Sequence, residues 1–178
     1  MAGILKVDKY QDFNGNDIMT SDGAGNITVN AAALKNTPAF FAYSTADQTI
    51  NGSTQTKATL DTELFDTNNA FASSTFTIPS GQAGKYFFSY GGLIGNFVSG
   101  EWFEFFLYKN GSILNPSRSR SFISTSQSGV LTASVIIDLA VSDYIDFYVL
   151  HSSGSSKTLY GTAGLYFTHL SGYKIIGA

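Results

Sequence analysis

At 178 residues the chain has the size of one domain with a sizeable core, and 43% apolar against 13% charged residues excludes the polar, highly charged make-up of a disordered polypeptide. A formal net charge of -3, with Arg118 and Arg120 the only near pair among scattered basic residues, gives no electrostatic footprint for nucleic acid or an anionic membrane. Cysteine is absent, which removes disulfides, thiolate metal sites and catalytic thiols and leaves packing to hold the fold.

The stretch from Met1 to Asp8 has too few consecutive apolar residues for the centre of a signal peptide, and no segment approaches membrane-spanning length. The expectation is a soluble product made in a cytosol, without membrane insertion. Residues 1–35 then alternate short apolar groups with turn signals, Asn14-Gly15-Asn16-Asp17 and Ser21-Asp22-Gly23-Ala24-Gly25-Asn26. Ile4, Leu5, Val7, Tyr10, Phe13, Ile18, Met19 and Ile27 are too sparse to bury one another, so this segment is expected to rest on another surface. Ala31-Ala32-Ala33-Leu34-Lys35 is the one stretch expected to be helical, and Asn36-Thr37-Pro38 ends it, because a residue before proline avoids the helical region. The division is therefore an attachment segment, 1–35, and a head domain, 36–178.

From Ala39 onward the sequence reads as strands over 39–43, 56–60, 84–93, 101–109, 119–123, 129–139, 144–151 and 162–176, separated by Gly, Asn and Ser turns. No internal repeat or heptad is evident. Fifteen Phe, ten Tyr and 18 Gly suit short strands and tight turns, and predict an all-β, two-sheet antiparallel sandwich or jelly roll. Two strands carry rings on both faces. Phe103, Phe105 and Leu107 oppose Trp102, Phe106 and Tyr108, and Tyr86, Phe88 and Tyr90 oppose Phe87. A free two-layer sandwich needs one apolar face per strand, so one sheet is expected to pack on something else, with subunit contact the natural candidate.

Chemistry has little to draw on. His169 shares a strand face with Ser171 but lacks a nucleophile elbow, and His151, at a strand end beside a serine-rich turn, is expected to be exposed. Glu101 and Glu104 lie on opposite strand faces, which does not make a glycosidase pair. Asp138, Asp143 and Asp146 gather around one turn, as calcium ligands or as ordinary solvated turn acids. The expectation is no catalytic residue, no metal and no cofactor.

Gly84-Lys85-Tyr86-Phe87-Phe88-Ser89-Tyr90, Lys109-Asn110-Gly111, the run from Ala133 to Val149 and Leu170-Ser171-Gly172-Tyr173 together resemble the globular head of complement component 1q, a jelly roll of the tumour-necrosis-factor-like class. Asp66 and Phe71 fit that pattern too, while Leu60 replaces its first aromatic and Phe76 is displaced, which a bulge or shifted turn near Pro79 would explain. The resemblance implies a homotrimer assembled through an aromatic-rich inner sheet. Mapped onto this chain, the contact residues are Phe41, Tyr43, Tyr86, Phe88, Tyr90, Tyr166, Phe167 and Tyr173. Residues 4–8, 14–18 and 21–28 look like the opening of many tailed-phage virion structural proteins. The implied function is a non-enzymatic capsid decoration protein at the virion surface, assembled in the host cytoplasm and contacting phage capsid or tail proteins. A receptor-binding tail-fibre tip that recognises host surface glycans is the alternative, and a glycan-cleaving enzyme is a third reading.

Overall fold

Side chains alternate across an extended strand, so a segment whose odd and even positions differ in polarity commits one face to a core. The computed structural model, which describes residues 7–30 and 36–175, follows that rule through seventeen strands and one short 3₁₀ turn. The helix expected over 31–35 lies outside the described residues, as do Ile4 and Leu5.

The strands β1 (Lys9–Gln11), β2 (Asp17–Ser21) and β3 (Ile27–Val29) form an antiparallel meander of their own. One device builds both of its turns. Asp12 Oδ1 accepts the N–H groups of Asn14 and Asn16, each at 2.9 Å, and its Oδ2 accepts the Asn16 amide at 2.8 Å. Asp22 accepts Ala24 N–H at 2.8 Å, Asn26 N–H at 3.1 Å and the Asn26 amide at 2.6 Å. Gly15 and Gly25 supply the left-handed backbone, at φ +83° and +96°. Asp-x-x-Gly-Asn therefore occurs twice at corresponding places in the meander, an internal repeat hidden in the sequence because the residues between its fixed positions differ.

The head begins with β4 (Ala39–Tyr43), β5 (Gln48–Ile50), β6 (Thr56–Lys57), β7 (Thr62–Asp66), β8 (Phe71–Ala72) and β9 (Thr75–Thr77). There follow β10 (Gly84–Gly95), β11 (Trp102–Lys109), β12 (Ser112–Ile113), β13 (Ser119–Phe122), β14 (Gly129–Leu139), β15 (Tyr144–His151), β16 (Lys157–Leu159) and β17 (His169–Lys174). They make two seven-stranded sheets. The first is built on the long β10, whose one edge pairs with β14 and whose other edge pairs with β17 and, further along, with β16; β4 and β7 continue outward from β17. The second is built on the β11–β15 pair, flanked by β12 and β13 on one side and by β6, β8 and β9 on the other. The path from β9 to β10 to β11, and from β14 to β15 to β16, crosses between sheets each time. That crossing gives the jelly-roll order and keeps β14 and β15, neighbours in sequence, in different layers.

The core lies between the layers. Tyr86, Phe88 and Tyr90 of β10 and Phe40 of β4 meet Phe105 and Leu107 of β11 and Ile145, Phe147 and Val149 of β15, all essentially inaccessible. Phe40 stacks on Phe76 at 4.4 Å and on Phe71 at 5.1 Å, so the displaced Phe76 still reaches the core, ahead of a turn closed by Gln82 N–H to the Pro79 carbonyl at 3.1 Å. Gly172 is small for a stated reason: a Cβ there would stand 2.6 Å from Phe88 Cδ1. The Asn110-Gly111 hairpin has positive φ at both residues, +52° and +75°, the backbone of a tight two-residue connection between β11 and β12. Thr162 to Thr168, expected in the last strand, form a loop instead, held at its end by Thr168 Oγ1 donating to the Tyr160 carbonyl at 2.7 Å.

Candidate functional site

Both faces of β11 are apolar, yet they are not equally free. On the side away from the core, Arg120 lies over the Trp102 ring at 3.9 Å, and Arg118 sits 5.7 Å from the centre of Phe106. Both guanidinium groups clasp Glu104, Arg118 at 2.6 and 2.8 Å and Arg120 at 3.0 Å. Tyr108 and Tyr148 stack at 3.9 Å beside Phe106, and the Tyr108 hydroxyl bonds Gln55. Phe106 is completely buried and Glu104 nearly so. The arginine hydrogen bonds hold the Glu104 carboxyl below its usual range against the opposing effect of burial. The protomer thus covers the centre of this second face with its own side chains, leaving Trp102, Tyr108 and Tyr148 half-buried and Phe122, opposite Trp102 on β13, exposed at its end.

The first sheet is different. Its outward side presents, in cross-strand register, Ile136, Phe87 and Tyr173 in one row and Ser134, Ser89, Ser171, Phe41 and Phe65 in the next. Phe87 and Tyr173 pair at 5.3 Å; Phe41 stacks on His169 at 5.6 Å; Tyr166 stands edge-on to Phe41 at 5.7 Å and to Tyr43 at 4.7 Å. Ile136 remains 58% exposed, Phe65 47% and Tyr173 39%, and Phe167, next to Tyr166 on the β16–β17 loop, is exposed as well. An apolar surface of this kind, rimmed by polar residues and spread over neighbouring strands, is what interaction sites look like.

This placement corrects the expected contact set. Phe41, Tyr43, Tyr166 and Tyr173 fall on the open side and Phe167 on the exposed loop. Tyr86, Phe88 and Tyr90 point into the protomer, fully buried, because alternation along β10 sends them to the face opposite Phe87. The Tyr90 hydroxyl donates to the Ser117 carbonyl and that of Tyr86 to the Gln82 carbonyl at 2.6 Å; burial pushes both phenols up to about 12. Phe65, Phe87 and Ile136 were absent from the expectation. Only the sheet register, which sequence does not show, reveals them as neighbours.

The meander also has two unlike faces. Tyr10, Met19 and Val29 align across its three strands, with Ile27 on the same side; Lys9, Thr20 and Thr28 align on the other. Val7, Tyr10, Met19 and Ile27 line a shallow hollow of about 100 Å³. Of the expected docking residues, Ile18 takes the opposite face by alternation, and Phe13 sits fully exposed at the tip of the first turn. Among the described residues, the hydrogen bonds of 7–30 stay within that segment.

The remaining polar groups serve the fold. Asp138, Asp143 and Asp146 do not converge: they pair with Lys85 at 3.5 Å, Lys109 at 2.8 Å and Lys57 at 2.7 Å respectively. Lys109 and the Asn110 amide hold the Asp143 carboxyl down at about 2. Glu101 bonds Lys157 at 3.0 Å, on the opposite side of the chain from Glu104 as expected. His151, expected at the surface, is instead fully buried.

No family model and no curated protein matches the sequence. Among solved structures, the globular domain of zebrafish complement 1qA is similar over 78% of this chain and 97% of its own, with a TM-score of 0.50 and 17% identity. The vertex protein P5 of PRD1 is similar over 79% and 99%, with a TM-score of 0.54 and 14% identity. Murine APRIL, in a crystal structure at pH 5.0, is similar over 77% and 99%, with a TM-score of 0.53 and 10% identity. The fold is a complement-head and tumour-necrosis-factor-like jelly roll. In this jelly roll the β14-β10-β17-β4-β7 layer carries the open aromatic side, and the centre of the β11–β15 layer is covered by its own arginines and tyrosines.

Proposed function

We propose that the chain is a virion structural protein of a tailed phage, a homotrimer whose jelly-roll heads project from the particle while residues 1–35 dock onto it as a capsid decoration protein. The observation that carries the trimer is the contrast between the two sheets: the centre of one is covered by the protomer's own Arg118, Arg120 and Glu104, while the other leaves Phe65, Ile136 and Tyr173 exposed beside the half-buried Phe41 and Phe87. Three copies meeting through that side would bury it around a closed symmetry axis, and a threefold oligomer suits the local threefold positions of an icosahedral shell. Docking is supported by the separate meander, whose Tyr10, Met19, Ile27 and Val29 face has too little area to form a core alone. The likeness to a vertex protein agrees with a place on a virion. Function then consists of burial without a chemical step, stabilising the shell by mass action.

Electron microscopy of particles carrying a labelled copy tests this reading. Label on the shell supports it; label at the tail, or no incorporation, rejects it. The alternative of a receptor-binding tip draws on the Phe122 ring, 71% exposed beside the loops at one end of the head, and predicts that the isolated protein binds host surface glycans.

A further inference from the structure

His151 closes β15 in the interior, with its ring edge-on to Phe97 at 6.0 Å. Its Nε2 lies 3.1 Å from the Ile50 carbonyl, and since a carbonyl only accepts, Nε2 carries the proton. Nδ1 is then a bare acceptor, and it is the one buried side-chain nitrogen or oxygen among the described residues without a hydrogen-bond partner. A buried polar atom left unpaired calls for a reason.

The imidazole sits where two exposed turns are fastened to the sandwich. The Ser53 N–H donates to the His151 carbonyl at 3.1 Å, and Gly52 lies so close to the 152–156 turn that a Cβ on it would stand 2.3 Å from the Ser153 carbonyl oxygen. Beneath these turns the short strands β5 and β16 pair at the sheet margin. The charged groups facing the ring are Lys157 of β16, 4% exposed, and Glu101 just before β11, already joined to each other at 3.0 Å. Ile50 of β5, Phe97 of the 96–100 loop and Phe103 of β11 contribute no charge. A second proton on the ring would therefore add an uncompensated positive charge beside an ion pair already balanced, on a nitrogen with no acceptor.

We propose that His151 is an acid-sensitive latch: neutral, it fastens the 51–55 and 152–156 turns and the β5–β16 pair across the two sheets, and when protonated it releases them. The sign follows from the buried site. Burial, the largest influence, and Lys157 hold the imidazole below its ordinary 6.5, outweighing the Ile50 bond and Glu101. The latch is thus fully closed above pH 6.5 and weakens as pH falls from there through the folded-state pKa. Across that window the open fraction rises by up to about tenfold per pH unit.

Hydrogen–deuterium exchange on the full-length protein between pH 7.5 and 5, corrected for intrinsic exchange rates, tests the latch. Wild type should show acid-enhanced exchange in 48–55 and 152–159 but not in the β10–β14 pair. His151→Gln, which keeps a donor for Ile50 and does not titrate, should abolish the enhancement, whereas His169→Gln should leave it. Equal enhancement in wild type and His151→Gln, or its loss in His169→Gln, overturns the proposal. Should His151→Gln fail to fold, the ring nitrogen shifts of the wild type decide independently. A proton on Nε2 and titration below 6.5, coincident with the exchange change, is expected. A proton on Nδ1, or titration at 6.5 with no accompanying exchange change, refutes it.

Discussion

Phe87 and Phe88 are adjacent in β10, chemically identical, and committed to opposite faces, which makes them a matched pair for separating protomer stability from assembly. Phe88 is fully buried, with ring neighbours Phe76 at 5.8 Å, Tyr86 at 6.1 Å and Phe40 at 6.4 Å. Truncation to alanine removes the transfer term and leaves a cavity, about 3–5 kcal/mol for a phenylalanine in such a site. At about 2–4 °C per kcal/mol for a domain of this size, Phe88→Ala should lower Tm by about 6–20 °C. Phe87 has one ring partner, Tyr173 at 5.3 Å, so Phe87→Ala should cost the protomer the pair's about 0.5–1.5 kcal/mol and little more. Phe87→Asp should leave the head folded yet abolish assembly, because a carboxylate buried between copies has no counter-charge. Thermal unfolding of each variant, with sedimentation velocity at matched concentrations, reads both quantities, since an assembled protein gains concentration-dependent stability that a monomer does not. A Phe87→Asp protein that assembles as wild type does, or a Phe88→Ala protein with unchanged Tm, would refute the assignment of faces.

Other expectations can be checked by ordinary stability measurements. Glu104→Gln should destabilise the head at pH 7 and flatten its acid limb. The folded carboxyl is held low, so its contribution is present above its ordinary 4.5 and fades as pH falls through the folded value; a chemical-denaturation series from pH 7 to 2 that is parallel in both proteins would count against this. Gly172→Ala should cost about 1–3 kcal/mol through the collision with Phe88, read as a lower urea midpoint at unchanged slope. Gly111→Ala, at φ +75°, should cost about 1–2 kcal/mol and leave assembly intact. Tyr90→Phe should cost about 1–3 kcal/mol by leaving the Ser117 carbonyl without its donor.

Much of the architecture was legible in the sequence because strand alternation is a local property. The two faces of β10 and β11 separate by counting alone, and Asn110-Gly111 announces its hairpin through the backbone conformation only such residues take readily. What counting does not provide is which face points inward. Tyr86, Phe88 and Tyr90 were expected at the subunit contact because they dominate the family-like motif, and the same bulk instead makes them the core. Covering groups are equally invisible in sequence: Arg118 and Arg120 reach back to Glu104 across a 3₁₀ turn and a hairpin register, and cover the centre of an otherwise apolar face. His151 looked exposed because serines follow it, but those serines form the turn folded over it.

Sedimentation equilibrium of the full-length wild-type protein at micromolar concentration addresses the open aromatic sheet most directly. A single species of three chains is the predicted result. A monodisperse single chain, with Phe41, Phe65, Phe87 and Tyr173 facing water and no tendency to associate, would contradict it.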